Sequence, residues 1–382
     1  MITSGLSGNE IYCLNRLGLF PGELLVGNSV YSLGFFGSIT SGFRGFVGGE
    51  IPEITSIISS GRELAIDRLE KEAAEKGALG ITGVDSNLVQ HPGNIEFLSL
   101  GSAVHSGNNS KDKLGFSSSI DAEELFCNHD AGYEPVKFVL GNIAYSMGAG
   151  RGIVGAFKTL GRGEIKEYSD IFNHTRHIAL ERIVKEAKEA GANSVLNITT
   201  KVLPFYGSTS NAGATEMLMV GTASNNPLLP ASFTQNPVSS DLSSSEMWSL
   251  TQLGYMPLKL VLGTAVYSLG ALGGITSWLK SFSKGEIPEL TSLIYDAREH
   301  AIGLIQDEAK GLGADMVVGT KTYMYELSPG LIEFMAIGTA LKKVDFVKTK
   351  SQELPAQAII QDQDSYFDKP GFDFGAGRSS VS

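Results

Sequence analysis

Three kinds of apolar segment recur along the chain, always in the same order. Segments such as LKLVLGTAVYSL (258–269) are rich in β-branched and apolar residues without a helical break, which predicts a buried strand. A Gly-rich, largely apolar stretch follows. Apolar positions then fall at i, i+3, i+4 and i+7, as in Ile54, Ile57, Ile58, Gly61, Ala65, Leu69 and Ala73, and predict a long helix with one narrow buried face. Its start lies near Pro52, Lys166 or Pro288, since proline suits a first turn where its missing N–H would be unpaired anyway. It ends at Gly77, Gly191 or Gly313. Two more strand-like runs close the pattern, MVVGTKTYMYE (316–326) and IEFMAIGTAL (332–341) in the last case, with Ser-Pro-Gly as the turn between them.

The order repeats because the sequence repeats. GNSVYSLG at 27–34 returns as GNIAYSMG at 141–148 and GTAVYSLG at 263–270, offsets of 114 and 122 residues. The same offsets keep Arg62, Arg176 and Arg298 in register; after a slip of one residue Glu96, Glu216 and Glu333 align, each leading an apolar run. Upstream, Ser7, Asp121 and Ser243 stand three residues before Glu10, Glu124 and Glu246, the spacing of a capping box, so each copy opens with a short helix. The copies span 7–105, 121–224 and 243–343, joined by polar linkers (106–122 and 225–244) and followed by a polar tail, 344–382. The fold class is α+β: three tandem two-layer units, each a short antiparallel or mixed sheet with one long helix and a short N-terminal helix. A single helix covers one face of such a sheet. The other face and the edges need a partner, and a barrel-like ring of units on oligomerisation would supply it.

Composition narrows the partners. The 382 residues are 42% hydrophobic and 19% charged, with a net charge of −11 and a pI near 5.1, which leaves no basic field for nucleic acid or an anionic membrane surface. Two cysteines, Cys13 and Cys127, make no disulfide framework, and MITSGLSGNE has neither the basic nor the apolar region of a signal peptide, so a cytoplasmic protein is expected. Residues 24–43 and 260–279 carry no charge over a length that could span a bilayer. They are diluted by Gly, Ser, Thr and Asn, and Arg151 breaks the equivalent stretch, so a strand plus an apolar loop is the better reading. Phe35, Phe36, Phe43, Phe46 and Trp278 leave peripheral membrane contact as an alternative.

The third copy, AREHAIGLIQDEAKGLGADMVVGTKTYMYE (297–326) with FMAIGTAL (334–341), resembles the YbjQ family, which carries a heavy-metal-binding label. The first copy keeps Arg62, Glu63, Ala65, Gly77 and Ala78 but has Leu79 where the third has Asp315; the second has Asn193 there and His177 in place of the glutamate. The resemblance implies an α/β unit that assembles into homopentameric rings in a bacterial cytoplasm, without enzymatic activity. The triplication, the leading helix and a shorter connection before the long helix depart from the family pattern.

No catalytic constellation repeats, and no phosphate-binding glycine pattern follows a strand. For a metal, His174 and His177 share a helix face at i, i+3, and Cys127 is a further weak candidate, although burial of a small residue explains it better. Glu50, Glu164 and Glu286 are read as helix-start acids that complement the dipole, worth ~0.3–1 kcal/mol each. Arg62, Arg176 and Arg298 suit bidentate pairing with carboxylates, in an inter-subunit or helix-to-loop salt bridge, with an anionic ligand as the alternative. No cofactor is expected. The reading is a non-enzymatic, self-assembling protein that builds a homo-oligomeric ring, stack or shell, pentameric by family analogy. A heavy-metal or small-anion binding protein and a peripheral membrane scaffold are the alternatives.

Overall fold

The computed structural model describes residues 1–32, 49–107, 114–146, 162–205, 214–269, 288–328 and 330–360. The first repeat contains α1 (Gly8–Arg16), β1 (Leu19–Ser32), β2 (Gly49–Glu50), α2 (Pro52–Glu75), β3 (Gly80–His91) and β4 (Asn94–Ser106). After β5 (Phe116–Ser117) come α3 (Ala122–Asp130), β6 (Glu134–Ser146), β7 (Gly163–Glu164), α4 (Lys166–Glu189), β8 (Ser194–Phe205) and β9 (Ala214–Asn225). The third repeat follows β10 (Val238–Ser239) with α5 (Ser244–Gln252), β11 (Tyr255–Ser268), α6 (Pro288–Gly311), β12 (Met316–Ser328) and β13 (Leu331–Lys343).

The helix boundaries follow local chemistry. Ser7 and Ser243 make complete capping boxes with Glu10 and Glu246, and Asp121 accepts the Glu124 amide. The short helices stop at Gly18, Gly132 and Gly254, all in the left-handed region that glycine adopts without a Cβ penalty. In each sheet the strand before the long helix pairs antiparallel with the last strand of the hairpin, giving orders β1-β4-β3, β6-β9-β8 and β11-β13-β12. The first hairpin strand carries a bulge at equivalent places, beside Gly83, Asn197 and Gly319. Asn197, at φ 57°, is held there by the Asn128 amide, which donates to its Oδ1, while its own Nδ2 donates to Ser244 Oγ and Leu242 O.

The repeats interlock, which corrects two expectations. Glu50 and Glu164 do not belong to the helix starts: Gly49–Glu50 pairs antiparallel with β6 and Gly163–Glu164 with β11, so each two-residue strand caps the open edge of the next repeat's sheet. Glu286 lies outside the described residues, as do the Gly-rich stretches and Phe35, Phe36, Phe43, Phe46 and Trp278. The linkers dock on their neighbours, since β5 and β10 run parallel to β3 and β8 at the far edge of the preceding sheet. Ser117 and Ser239 then accept the Phe138 and Leu260 amides of the following one. The buried helix face is also wider than one stripe, since Thr55, Arg62 and Ile66 are buried along with Ile54, Ile58, Ala65 and Leu69.

The reason is layering. Helix α2 packs against its own sheet through Ile95 and Phe97 and against the next through Phe138, Leu140, Ala144 and Leu218. Helix α4 likewise joins its own sheet to Leu260, Leu262, Val266 and Met335 of the third repeat. The order is sheet, α2, sheet, α4, sheet, α6. Residues 344–360 of the tail run back across the opening helices: the Lys350 and Ser351 amides donate to Asp130, Ala358 packs with Cys13 and Cys127, and Asn9 donates to Ile360 O.

Candidate functional site: the joints between repeats

At each internal joint an arginine from one long helix crosses to the hairpin of the next repeat. Arg62 donates from Nε and Nη2 to both oxygens of Glu216, at 2.9 and 2.7 Å, and from Nη1 to Ser86 O and Oγ at 3.0 Å. Arg176 makes the same fork to Glu333, at 3.0 and 2.7 Å, and its Nη2 also donates to Tyr145 Oη. All four charged side chains are sealed from solvent, at 0–1% exposure. The guanidinium carbons sit over aromatic rings, Arg62 over Phe97 and Arg176 over Tyr145 and Phe172. The helix position is set by the i+4 relation of Arg62 to Ile58 and Ile66 on the face turned to the next sheet.

Around each arginine the hydrogen bonds repeat too. Thr55 Oγ1 and Ser169 Oγ accept the Ala144 and Val266 amides, both at 2.9 Å. Ser59 donates to Asn142 Oδ1, whose Nδ2 in turn donates to Glu216; in the second joint the Thr264 amide donates to Asn173 Oδ1. Glu50 receives Arg182 at 2.7 Å, and Glu164 lies 3.6 Å from His300. The joint therefore consists of complementary contacts, although Arg176 Nη1 and Thr264 Oγ1 in the second joint are buried without a hydrogen-bond partner among the described residues.

The third arginine behaves differently. Arg298 is exposed and has no ion-pair partner among the described residues.

The metal candidates are dispersed. His174 is exposed, whereas His177 is part-buried with Nδ1 on Asn173 O at 2.8 Å and Nε2 3.6 Å from Glu308. Burial pushes the Cys127 and Cys13 thiols up to about 12, so neither offers a thiolate near neutral pH. Among the described residues no three His, Cys, Asp or Glu side chains cluster as a metal site would need. Among the same residues no helix is long and apolar enough to cross a membrane.

The His177–Glu308 contact makes the second joint pH-sensitive. Burial works to raise the Glu308 carboxyl, but His177 and Lys259 outweigh it and hold it at about 2, while hydrogen bonding to Glu308 outweighs burial and raises His177. A depressed carboxylate stabilises above its unfolded value near 4.5 and loses that contribution as pH falls through about 2. A raised histidine stabilises fully below 6.5 and loses its contribution as pH rises through its folded value. The pair contributes most between about pH 4.5 and 6.5. Thermal melting from pH 6 to pH 9 should show a decline that His177→Gln removes; an unchanged slope in that variant would contradict the assignment.

A chain built of interlocked sheet-and-helix repeats, with buried ion pairs at its joints, belongs to the class of repeat proteins whose units complete one another. The model of the family described as "Putative heavy-metal-binding" (YbjQ) matches residues 22–106, 130–226 and 255–344, and the chain is a member of that family in three tandem copies. It is 43% identical over 95 residues to a UPF0145 protein of Thermosipho africanus, covering 24% of this chain and 83% of that one. A UPF0145 protein of Thermotoga maritima is 45% identical over 85 residues, 22% of this chain and 76% of the relative. Over 237 residues the chain is 28% identical to the encapsulin nanocompartment protein Rv1762c of Mycobacterium tuberculosis, covering 60% of this chain and 86% of the relative. No solved structure matches.

Proposed function

We propose that this protein is a non-enzymatic building block of a homo-oligomeric cytoplasmic assembly, a ring, stack or shell. One observation carries the reading. The outer face of the first sheet, which the equivalent sheets bury under a preceding helix, is bare: Val26 and Val30 are 47% and 58% exposed, whereas Leu140 and Ala144 are 8% and 1%, and Leu262 and Val266 are 1% and 0%. Apolar surface of that kind, placed on an edge strand, is normally covered. The likeness to an encapsulin nanocompartment protein favours the same reading. Five chains, giving fifteen units, is the closure that the family resemblance favours.

Sedimentation velocity on untagged protein at micromolar concentration tests the proposal. A species several times the 40.6 kDa of one chain is the expected result. A single-chain species throughout the concentration series would overturn it.

A further inference from the structure

The two ends of the layered stack are complementary halves of one joint. At the first end lies the bare sheet face, where Glu96 is the counterpart of Glu216 and Glu333. Its Oε1 accepts from Asn28 Nδ2 at 2.8 Å, as Glu216 accepts from Asn142, so the carboxylate is already held in the orientation used at the internal joint. Yet among the described residues no arginine reaches Glu96: its other oxygen meets His91, and the carboxylate stays 19% exposed where its counterparts are sealed. At the other end lies the outer face of α6. Thr291, Tyr295 and Arg298 occupy the places of Thr55, Ser59 and Arg62, and all three are exposed, with Tyr295 at 62%. In the two internal joints these positions meet the next repeat's first strand and its glutamate.

We propose that α6 of one copy seats on the β1 face of the next, head to tail, with Arg298 paired to Glu96 of the following copy. This rests on the self-assembly reading above and names its interface. The occupant is a second copy because the chain already makes this contact twice, and the free faces carry the hydroxyl, the arginine and the glutamate of that contact at the equivalent positions Thr291, Arg298 and Glu96. In this arrangement Thr291 accepts the Val30 amide, as Thr55 accepts that of Ala144, and Tyr295 covers Asn28. The contact is heterologous, so it closes into a ring or continues as a filament according to the rotation per chain.

Charge reversal tests both the site and its polarity. In R298E alone the joint would set two carboxylates against each other, and in E96R alone two guanidinium groups; each like-charge contact should weaken chain association on the order of a hundredfold or more. Each variant should therefore sediment as single chains at concentrations where the parent protein assembles. Arg298 is exposed, so dilute R298E should match the parent in circular dichroism and melting; E96R gives up the Asn28 and His91 contacts and should keep the circular dichroism of the parent while melting somewhat lower. Mixing R298E with E96R one to one allows joints of opposite charge to form again between the two variants and should recover species larger than one chain. If the parent protein is itself a single chain, the self-assembly reading falls. If the parent assembles and either reversal assembles equally well, or the mixture stays as single chains, the head-to-tail joint is wrong while self-assembly stands.

Discussion

Replacing Glu216 by alanine should lower the unfolding free energy by about 3–5 kcal/mol, the loss expected when one member of a buried ion pair is removed. The size follows from what is left behind rather than from the attraction that is lost. Arg62 stays at 0% exposure between two sheets, with Nε and Nη2 deprived of acceptors and only Ser86 still accepting from Nη1. Water does not reach it unless the joint opens. Glu216→Gln keeps an acceptor oxygen and should cost less, and replacing both Arg62 and Glu216 by methionine should cost less than Glu216→Ala, because no buried charge remains. Urea unfolding of the three variants reads this directly. A loss below about 1 kcal/mol for Glu216→Ala, the value of an exposed pair, would mean that the joint is wet.

Gly141→Ala should destabilise by about 1–3 kcal/mol or more, because the crowding atoms are backbone and cannot rotate away. A Cβ at Gly141 would overlap the Ala179 carbonyl oxygen and come within 2.6 Å of the Ile183 amide nitrogen, both on α4. Gly27 and Gly263 face Ala65 and Ala301 in the same way, so the glycine lets the strand lie against its own helix in all three units. Moving α4 away from β6 also moves it within the second joint, where Arg176 is fixed by Glu333. The same substitution at Gly303, inside α6 with open space where a Cβ would stand, should instead stabilise by about 0.5–1 kcal/mol through helix propensity. Equal effects at the two positions would refute the packing argument.

The elements themselves were legible because their signals are local. Capping residues, first-turn prolines, terminal glycines and the period of apolar residues each act within a few positions, and their return in two or all three copies sets them apart from accident. The joint was half legible. Arg62, Arg176 and Arg298 and the glutamates of the hairpins stand out as charges repeated on otherwise apolar segments, and buried charges require partners. What a period cannot tell is whether the arginine of one unit meets the glutamate of its own unit or of the next, since both pairings keep the same register. Arg62 finds its partner 154 residues away. The two-residue strands and the linker strands were hidden for another reason: segments of two residues carry no periodicity, so Glu50 and Glu164 looked like helix-start acids. The bulge at Gly83, Asn197 and Gly319 had a faint signal in the shared left-handed preference of Gly and Asn.

The segment 344–360 ties the opening helices of the three units to one another. Trp248, Asp130 and Asn9, one from each opening helix, are all fastened by it directly or through a shared acceptor. Cutting the chain between β13 and this segment would therefore uncover Cys13, Phe126 and Cys127, which Ala358 packs against, and so loosen the first two units from a break placed after the third.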